Sequence, residues 1–239
     1  MMNKIKLFCF PFAGGSAAVF NRWRTLLDKS IEFNPVELAG RGRRIREPMY
    51  NSIKEAVDDV FKIINPQIEN TPFAFYGHSM GSVIAFELTY RLREKNLPEP
   101  VHLFFSGRGA PHMPDDHKKK YHLMAEGEFK EEMIKLGGTA KEFFEHPELL
   151  EVFLPLLRND LKVNESYVYT EKPAKLPCSI TVLHGEKDEE VTMDEVNEWH
   201  IHTDHDCTIH NFPGDHFFIN EEPEKIVDII NNTLLPLIN

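Results

Sequence analysis

The sequence predicts an α/β fold in which a mostly parallel, twisted sheet is flanked by helices and carries a helical insertion. Three observations lead there. Short apolar runs alternate with amphipathic helical stretches from Ile5 to Phe105, the order that parallel strands joined by right-handed crossovers require. From about Pro111 to Thr170 the alternation stops, and charged helices rich in bulky apolar residues replace it. It resumes at Ser179 and ends on a strand and a closing helix. At 239 residues the chain has room for one such domain with a substantial core, residues 1–110 and 171–239 forming the body and 111–170 the insertion.

The elements follow in order. Ile5 to Phe10 reads as a buried strand stopped by Pro11. It is too short an apolar run for a signal peptide, and no stretch approaches the roughly 18 apolar residues of a membrane span. Ser16 caps a helix with Phe20, Trp23, Leu26 and Leu27 inward. Phe33 to Leu38 is a second strand, and Pro35 suits it to an edge or a bulge. An arginine-rich loop, Gly40-Arg41-Gly42-Arg43-Arg44-Ile45-Arg46, leads to a helix capped by Ser52 and bent or ended at Pro66. Phe73 to Tyr76 is a strand that breaks at Gly77, and an apolar helix runs from Gly81 through Leu88. Strands at Val101–Phe105, Ser179–His184 and Thr208–Phe212 follow, with helices near Met193–Trp199 and Pro223–Leu235. In the insertion, Gly137-Gly138 separates two helices whose bulky residues mostly pack together, leaving a minority to line a cavity.

Composition narrows the function. A hydrophobic fraction of 41% and a charged fraction of 27% are ordinary for a soluble globular protein. The net charge of −11 argues against bulk attraction to nucleic acid or an anionic membrane. Three cysteines, Cys9, Cys178 and Cys207, are odd in number and far apart, which indicates reduced thiols in a cytoplasmic protein.

The chemistry-bearing stretch is Gly77-His78-Ser79-Met80-Gly81, a G-x-S-x-G elbow between a strand and a helix. A serine hydroxyl needs a base to take its proton, and the base needs a carboxylate to fix its tautomer. On this kind of elbow the acid and then the histidine follow, each after a later strand. Glu186, Asp188, Glu189 and Glu190 follow the strand ending at His184. Asp188 has the expected G-x-x-D placement, with Glu186 its main rival. His216 lies in the glycine-containing loop before the closing helix. The oxyanion hole needs two backbone N–H donors, one from Met80 and one from Phe12 or Ala13 in the turn after the first strand. An ordinary Gly-rich strand-to-helix turn accounts for Gly14-Gly15 equally well. His200, His202, His205, Cys207 and His210 are ligand types, but their spacing matches no closed zinc pattern, so no metal site is expected. The arginine run is either solvated and locally paired or a site for a phosphate or an acidic partner near the pocket mouth.

Together these residues resemble the type II thioesterases that accompany nonribosomal peptide and polyketide synthases. The resemblance runs through Cys9-Phe10-Pro11-Phe12-Ala13-Gly14-Gly15-Ser16, the Gly40–Arg44 loop, the elbow, Ser106-Gly107-Arg108-Gly109-Ala110-Pro111, Leu157-Arg158-Asn159-Asp160, Tyr167 and Gly214-Asp215-His216-Phe217-Phe218. Ser82 stands where a smaller residue is more usual. The resemblance implies an α/β-hydrolase fold with a helical lid, and a triad of Ser79 as nucleophile, His216 as base and Asp188 as acid. It implies hydrolysis of acyl groups from the phosphopantetheine arm of carrier proteins, with no cofactor of the enzyme's own. The partner is then an acyl or peptidyl carrier protein, met by the arginine loop or by Lys118-Lys119-Lys120. The chain opens on its own methionine, which suggests a stand-alone enzyme, and a monomer is expected. A generic carboxylesterase or acyl-CoA thioesterase would share every triad residue; a non-catalytic relative would be expected to lack one.

Overall fold

The computed structural model describes residues 4–114, 119–138 and 146–238. Among them six strands, β1 (Ile5–Phe10), β2 (Ile31–Pro35), β3 (Phe73–His78), β4 (His102–Ser106), β5 (Ile180–Gly185) and β6 (Cys207–Phe212), form one sheet. Their order is β2-β1-β3-β4-β5-β6, and every neighbouring pair is parallel. Side chains of successive strand residues leave opposite faces of the sheet. Hence Phe8, Phe10, Phe73, Phe75, Leu103 and Phe105 enter the core on one face, while Leu7, Cys9, Ala74, Tyr76 and Phe104 enter the core on the other.

Helices α1 (Ile53–Ile64) and α2 (Met80–Glu94) cover the first face. Ser52 caps α1 by accepting the Glu55 N–H, and Pro66 falls in the tight turn just beyond its end, as the sequence predicts. Between β4 and β5 the chain forms α3 (Glu126–Leu136) and α4 (Pro147–Glu165), and no strand among the described residues interrupts them. Tyr121, Phe129, Met133, Leu157 and Leu161 make a separate small core there. The Arg158 guanidinium lies 4.0 Å over the Phe129 ring and donates to the carbonyls of His122 and Met124, closing that core. Phe143 and Phe144 lie outside the described residues. After β5 come α5 (Met193–Asn197), α6 (Phe218–Glu221) and α7 (Pro223–Leu234); α7 covers the second face with Ile226, Val227, Ile230 and Leu234.

Ser16 caps a helix as expected, and the structure adds the helix type that the sequence left open. Ala17–Thr25 is a 3-10 helix, not an α-helix. Its inward residues Phe20, Trp23 and Leu26 are three apart, which matches three residues per turn. A second 3-10 segment, Glu198–His202, follows α5, with Trp199 and His202 buried at the same spacing. β2 is an edge strand, as Pro35 suggests, but it spans Ile31–Pro35 instead of reaching Leu38. Cys9 pairs with Pro35, the Val36 N–H still donates to the Cys9 carbonyl at 2.9 Å, and β1 ends one residue later at Phe10, so nothing is left to pair with Leu38.

Candidate active site

β3 runs into α2 through a single residue, Ser79, held at φ 52° and ψ −113°. This backbone region is costly for a residue with a side chain, on the order of 1–3 kcal/mol. The surrounding contacts enforce it. A Cβ on Gly77 would lie 2.2 Å from the Gly81 carbonyl oxygen, and one on Gly81 would lie 2.1 Å from that of Phe10. Neither position tolerates a side chain, which explains the glycines of the elbow. The Ser79 N–H is tied to the Ser106 carbonyl at 2.8 Å, so the end of β4 braces the turn.

His216 and Asp188 come together from the loops after β6 and β5. His216 Nδ1 donates to Asp188 Oδ2 at 2.8 Å, while Asp188 Oδ1 accepts the N–H groups of Glu190 and Val191 at 2.8 and 3.2 Å. Burial pushes the Asp188 carboxyl up, but the hydrogen bond and charge of His216, with the Glu190 N–H, outweigh it and hold the group below the usual carboxylate range. Glu186 and Glu189 are exposed, and Glu190 accepts the Tyr121 hydroxyl. The two loops are stitched together by Glu186 N–H to Phe212 and Lys187 N–H to Gly214.

Beneath the elbow lies a buried polar network that sequence reasoning missed. His78 Nε2 bonds the His216 carbonyl at 2.9 Å; a carbonyl only accepts, so Nε2 carries the proton and Nδ1 accepts from Ser106 Oγ at 2.8 Å. Burial, then the nearby His216 charge, hold the His78 imidazole down at about 3. Ser82 Oγ donates to the Gly77 carbonyl at 2.7 Å and accepts the Ser106 N–H at 3.1 Å, links that a smaller residue would not make. Because folded His78 stays neutral, the unfolded chain binds more protons below pH about 6.5, and stability falls from there toward pH 3. His102 and His202, held down to about 4 by burial, add slope of the same sign. His78→Gln, which keeps a donor for the carbonyl, is expected to reduce the slope by up to about 1.4 kcal/mol per pH unit in urea unfolding. An unchanged slope would contradict the neutral assignment.

Ser79 and His216 line one cavity of about 300 Å³, with Phe12, Ala13, Met133, Leu136, Phe153 and Leu157 among its walls. Larger cavities of about 510 and 430 Å³ open elsewhere and contain neither side chain. No hydrogen bond joins Ser79 Oγ to His216 among the described residues; such bonds commonly tighten only when substrate binds. Met80 is the first residue of α2, so no preceding helical carbonyl receives its N–H. The N–H groups of Met80, Phe12 and Ala13 have no hydrogen-bond acceptor among the described residues.

The arginine run divides. Arg41 is buried and paired with Asp160 on α4. Arg44 is pinned by Glu47 and by both oxygens of Asp59, contacts that raise its pKa. These two are structural, whereas Arg43 and Arg46 are exposed. Lys119 pairs with Glu132, Lys120 donates to the Glu165 carbonyl, and Lys118 lies outside the described residues. Of the histidine-rich segment, His202 is buried and bonded to His112 at 2.9 Å. No group of three His, Cys, Asp or Glu among the described residues is arranged to hold a metal.

The sequence matches the family described as "Thioesterase domain" over residues 5–234. It is 38% identical over 227 residues to the gramicidin S biosynthesis protein GrsT of Aneurinibacillus migulanus, covering 95% of this chain and 88% of that one. It is 36% identical over 222 residues to the medium-chain S-acyl fatty acid synthase thioesterase of Rattus norvegicus, covering 90% and 81%. The crystal structure of ClbQ from the colibactin NRPS/PKS pathway matches with a TM-score of 0.93 at 36% identity over 98% of each chain. The parallel sheet and these likenesses show an α/β-hydrolase fold, and the chain belongs to the thioesterase family.

Proposed function

We propose that the protein is a thioesterase that releases acyl groups from the phosphopantetheine arm of carrier proteins, clearing misprimed or stalled chains in nonribosomal peptide or polyketide synthesis. The observation that carries this is His216, held by the buried Asp188, lining together with Ser79 an apolar cavity walled in part by α3 and α4, in a chain of the thioesterase family. Ser79 attacks the thioester carbonyl as His216 takes its proton, and Asp188 holds the imidazole and its developing charge. The oxyanion is received by the Met80 N–H and that of Phe12 or Ala13. The thiol, with an ordinary pKa of about 8.5, leaves readily, and water activated by His216 then frees the acid. The phosphopantetheine belongs to the substrate.

The chain acts as one domain in this reading, because β4 and β5 lie side by side in the sheet although the helical segment of about residues 111–170 separates them in sequence. Three unpaired cysteines suit a reducing cytoplasm. No helix of the described residues is long and apolar enough to cross a membrane. Turnover of acetyl- and longer acyl-carrier proteins beside the matching acyl-CoA and p-nitrophenyl esters tests the substrate class. Preference for the small oxygen esters would replace this reading with a general esterase.

Arg43 and Arg46 are the arginines of the loop left for an acidic carrier. Reversing both to glutamate is expected to raise KM for acyl-carrier protein roughly tenfold at low salt and leave acyl-CoA turnover unchanged. Equal KM values for the carrier would remove the loop from recognition.

A further inference from the structure

We propose that Asp160, carried on α4, is a positioning residue for the oxyanion turn: it grips the turn's backbone so that the N–H groups of Phe12 and Ala13 stay aimed at the reacting carbonyl. The proposal rests on the reading of Ser79 as nucleophile given above.

The turn Phe12-Ala13-Gly14-Gly15 is closed by the Gly15 N–H on the Phe12 carbonyl at 2.9 Å. Its outer side is held by one buried ion pair. Asp160 Oδ2 accepts the Gly14 N–H at 2.8 Å, and Arg41 Nη1 donates to the Gly15 carbonyl at 2.9 Å. The two side chains bond each other at both ends, at 2.6 and 2.9 Å, and are 2% and 3% exposed. Arg41 Nε reaches the Ala39 carbonyl as well, so the guanidinium is held on three sides.

A buried pair of this kind is weak evidence for a stabilising role, since desolvating two charges cancels most of their attraction and an apolar pair often does as well. What an apolar pair could not do is accept the Gly14 N–H and hold the Gly15 carbonyl. The Gly14 N–H belongs to the peptide immediately after Ala13, so gripping it fixes the plane of the link that joins Ala13 to the rest of the turn. A donor displaced by about 1 Å from a reacting oxygen can cost on the order of 100-fold in rate. The helix that carries Asp160 also supplies Phe153 and Leu157 to the cavity wall. The same element therefore shapes the acyl site and sets the turn that stabilises charge on the acyl carbonyl.

Two double variants of the full chain isolate the contact. Arg41→Met with Asp160→Asn removes both charges and keeps an acceptor for Gly14. Arg41→Met with Asp160→Leu removes both charges and the acceptor at nearly the same side-chain shape. With an acyl-N-acetylcysteamine thioester and a p-nitrophenyl ester as substrates, kcat of the leucine form is expected to fall about 100-fold below that of the asparagine form, with KM within about threefold. Equal kcat values overturn the proposal. Amide exchange of the wild-type protein gives a second reading that no folding failure can obscure. The Gly14 N–H is expected to be protected like those of the central strands, and exchange at the rate of an exposed amide overturns the proposal. If wild type and Ser79→Ala hydrolyse both substrates equally, the nucleophile reading fails and takes this one with it. Active double variants with equal kcat sink the positioning role alone.

Discussion

Replacing Ser79 by alanine is expected to lower kcat for acyl-carrier thioesters by on the order of 10⁶-fold, since triad members act as a unit and loss of the nucleophile costs nearly the whole of their joint effect. Oxyanion donors and binding remain, so a residual rate about 10³-fold above that in water is expected. Rapid-quench trapping of the acyl-enzyme with a radiolabelled acyl group checks the assignment, because label should attach to wild type and not to the alanine form. Rates within about tenfold of wild type would overturn the mechanism. Stability is expected to move the other way with glycine. Ser79 sits at φ 52°, where only glycine is unstrained. Ser79→Gly should abolish activity and raise stability by about 1 kcal/mol, some 2–4 °C in Tm for a chain of this size, whereas alanine keeps the strain. The strained serine is a case of stability given up where chemistry needs a side chain in a fixed place.

Features with a local cause were legible in the sequence. Gly77 signals the elbow because a Cβ there would lie 2.2 Å from the carbonyl oxygen of Gly81, four residues on, a constraint that only residue type can meet. The alternation of Phe73, Ala74, Phe75 and Tyr76 between two cores follows from the pleat alone. Asp188 and His216 are marked by their places after β5 and β6. Features whose cause lies far along the chain were not legible. Arg41 stands in a run of four arginines and reads as a surface residue; its burial depends on Asp160, 119 positions away. Ser82 and His78 likewise owe their roles to Ser106 and His216, which come near only when β4 and the loop after β6 are in place. Helix type at Ala17–Thr25 was not legible, because a spacing of three serves both an α-helical face and a 3-10 turn.

Asp188→Asn is expected to reduce kcat by about 10⁴-fold without unfolding the protein, and the hydrogen bonds around it say why. Oδ1 accepts the N–H groups of Glu190 and Val191, so in the variant the amide oxygen must occupy that position. The amide NH2 then faces His216 Nδ1 and can only donate to it. The imidazole is forced into the tautomer with its proton on Nε2, the nitrogen that should receive the Ser79 proton, and the base is blocked. Glu186→Gln is the matched control; its side chain is exposed, and kcat is expected to stay within about twofold of wild type. The reverse result, a silent Asp188→Asn and a crippled Glu186→Gln, would move the acid by two residues. The variant should also change the acid limb of stability. The Asp188 carboxyl titrates below its ordinary value, so its contribution is present above pH about 3.9 and is lost as the pH falls through its lower folded value. Urea unfolding from about pH 6 to 2 should show that loss in wild type and its absence in Asp188→Asn, which separates the electrostatic role of the carboxylate from its control of the His216 tautomer.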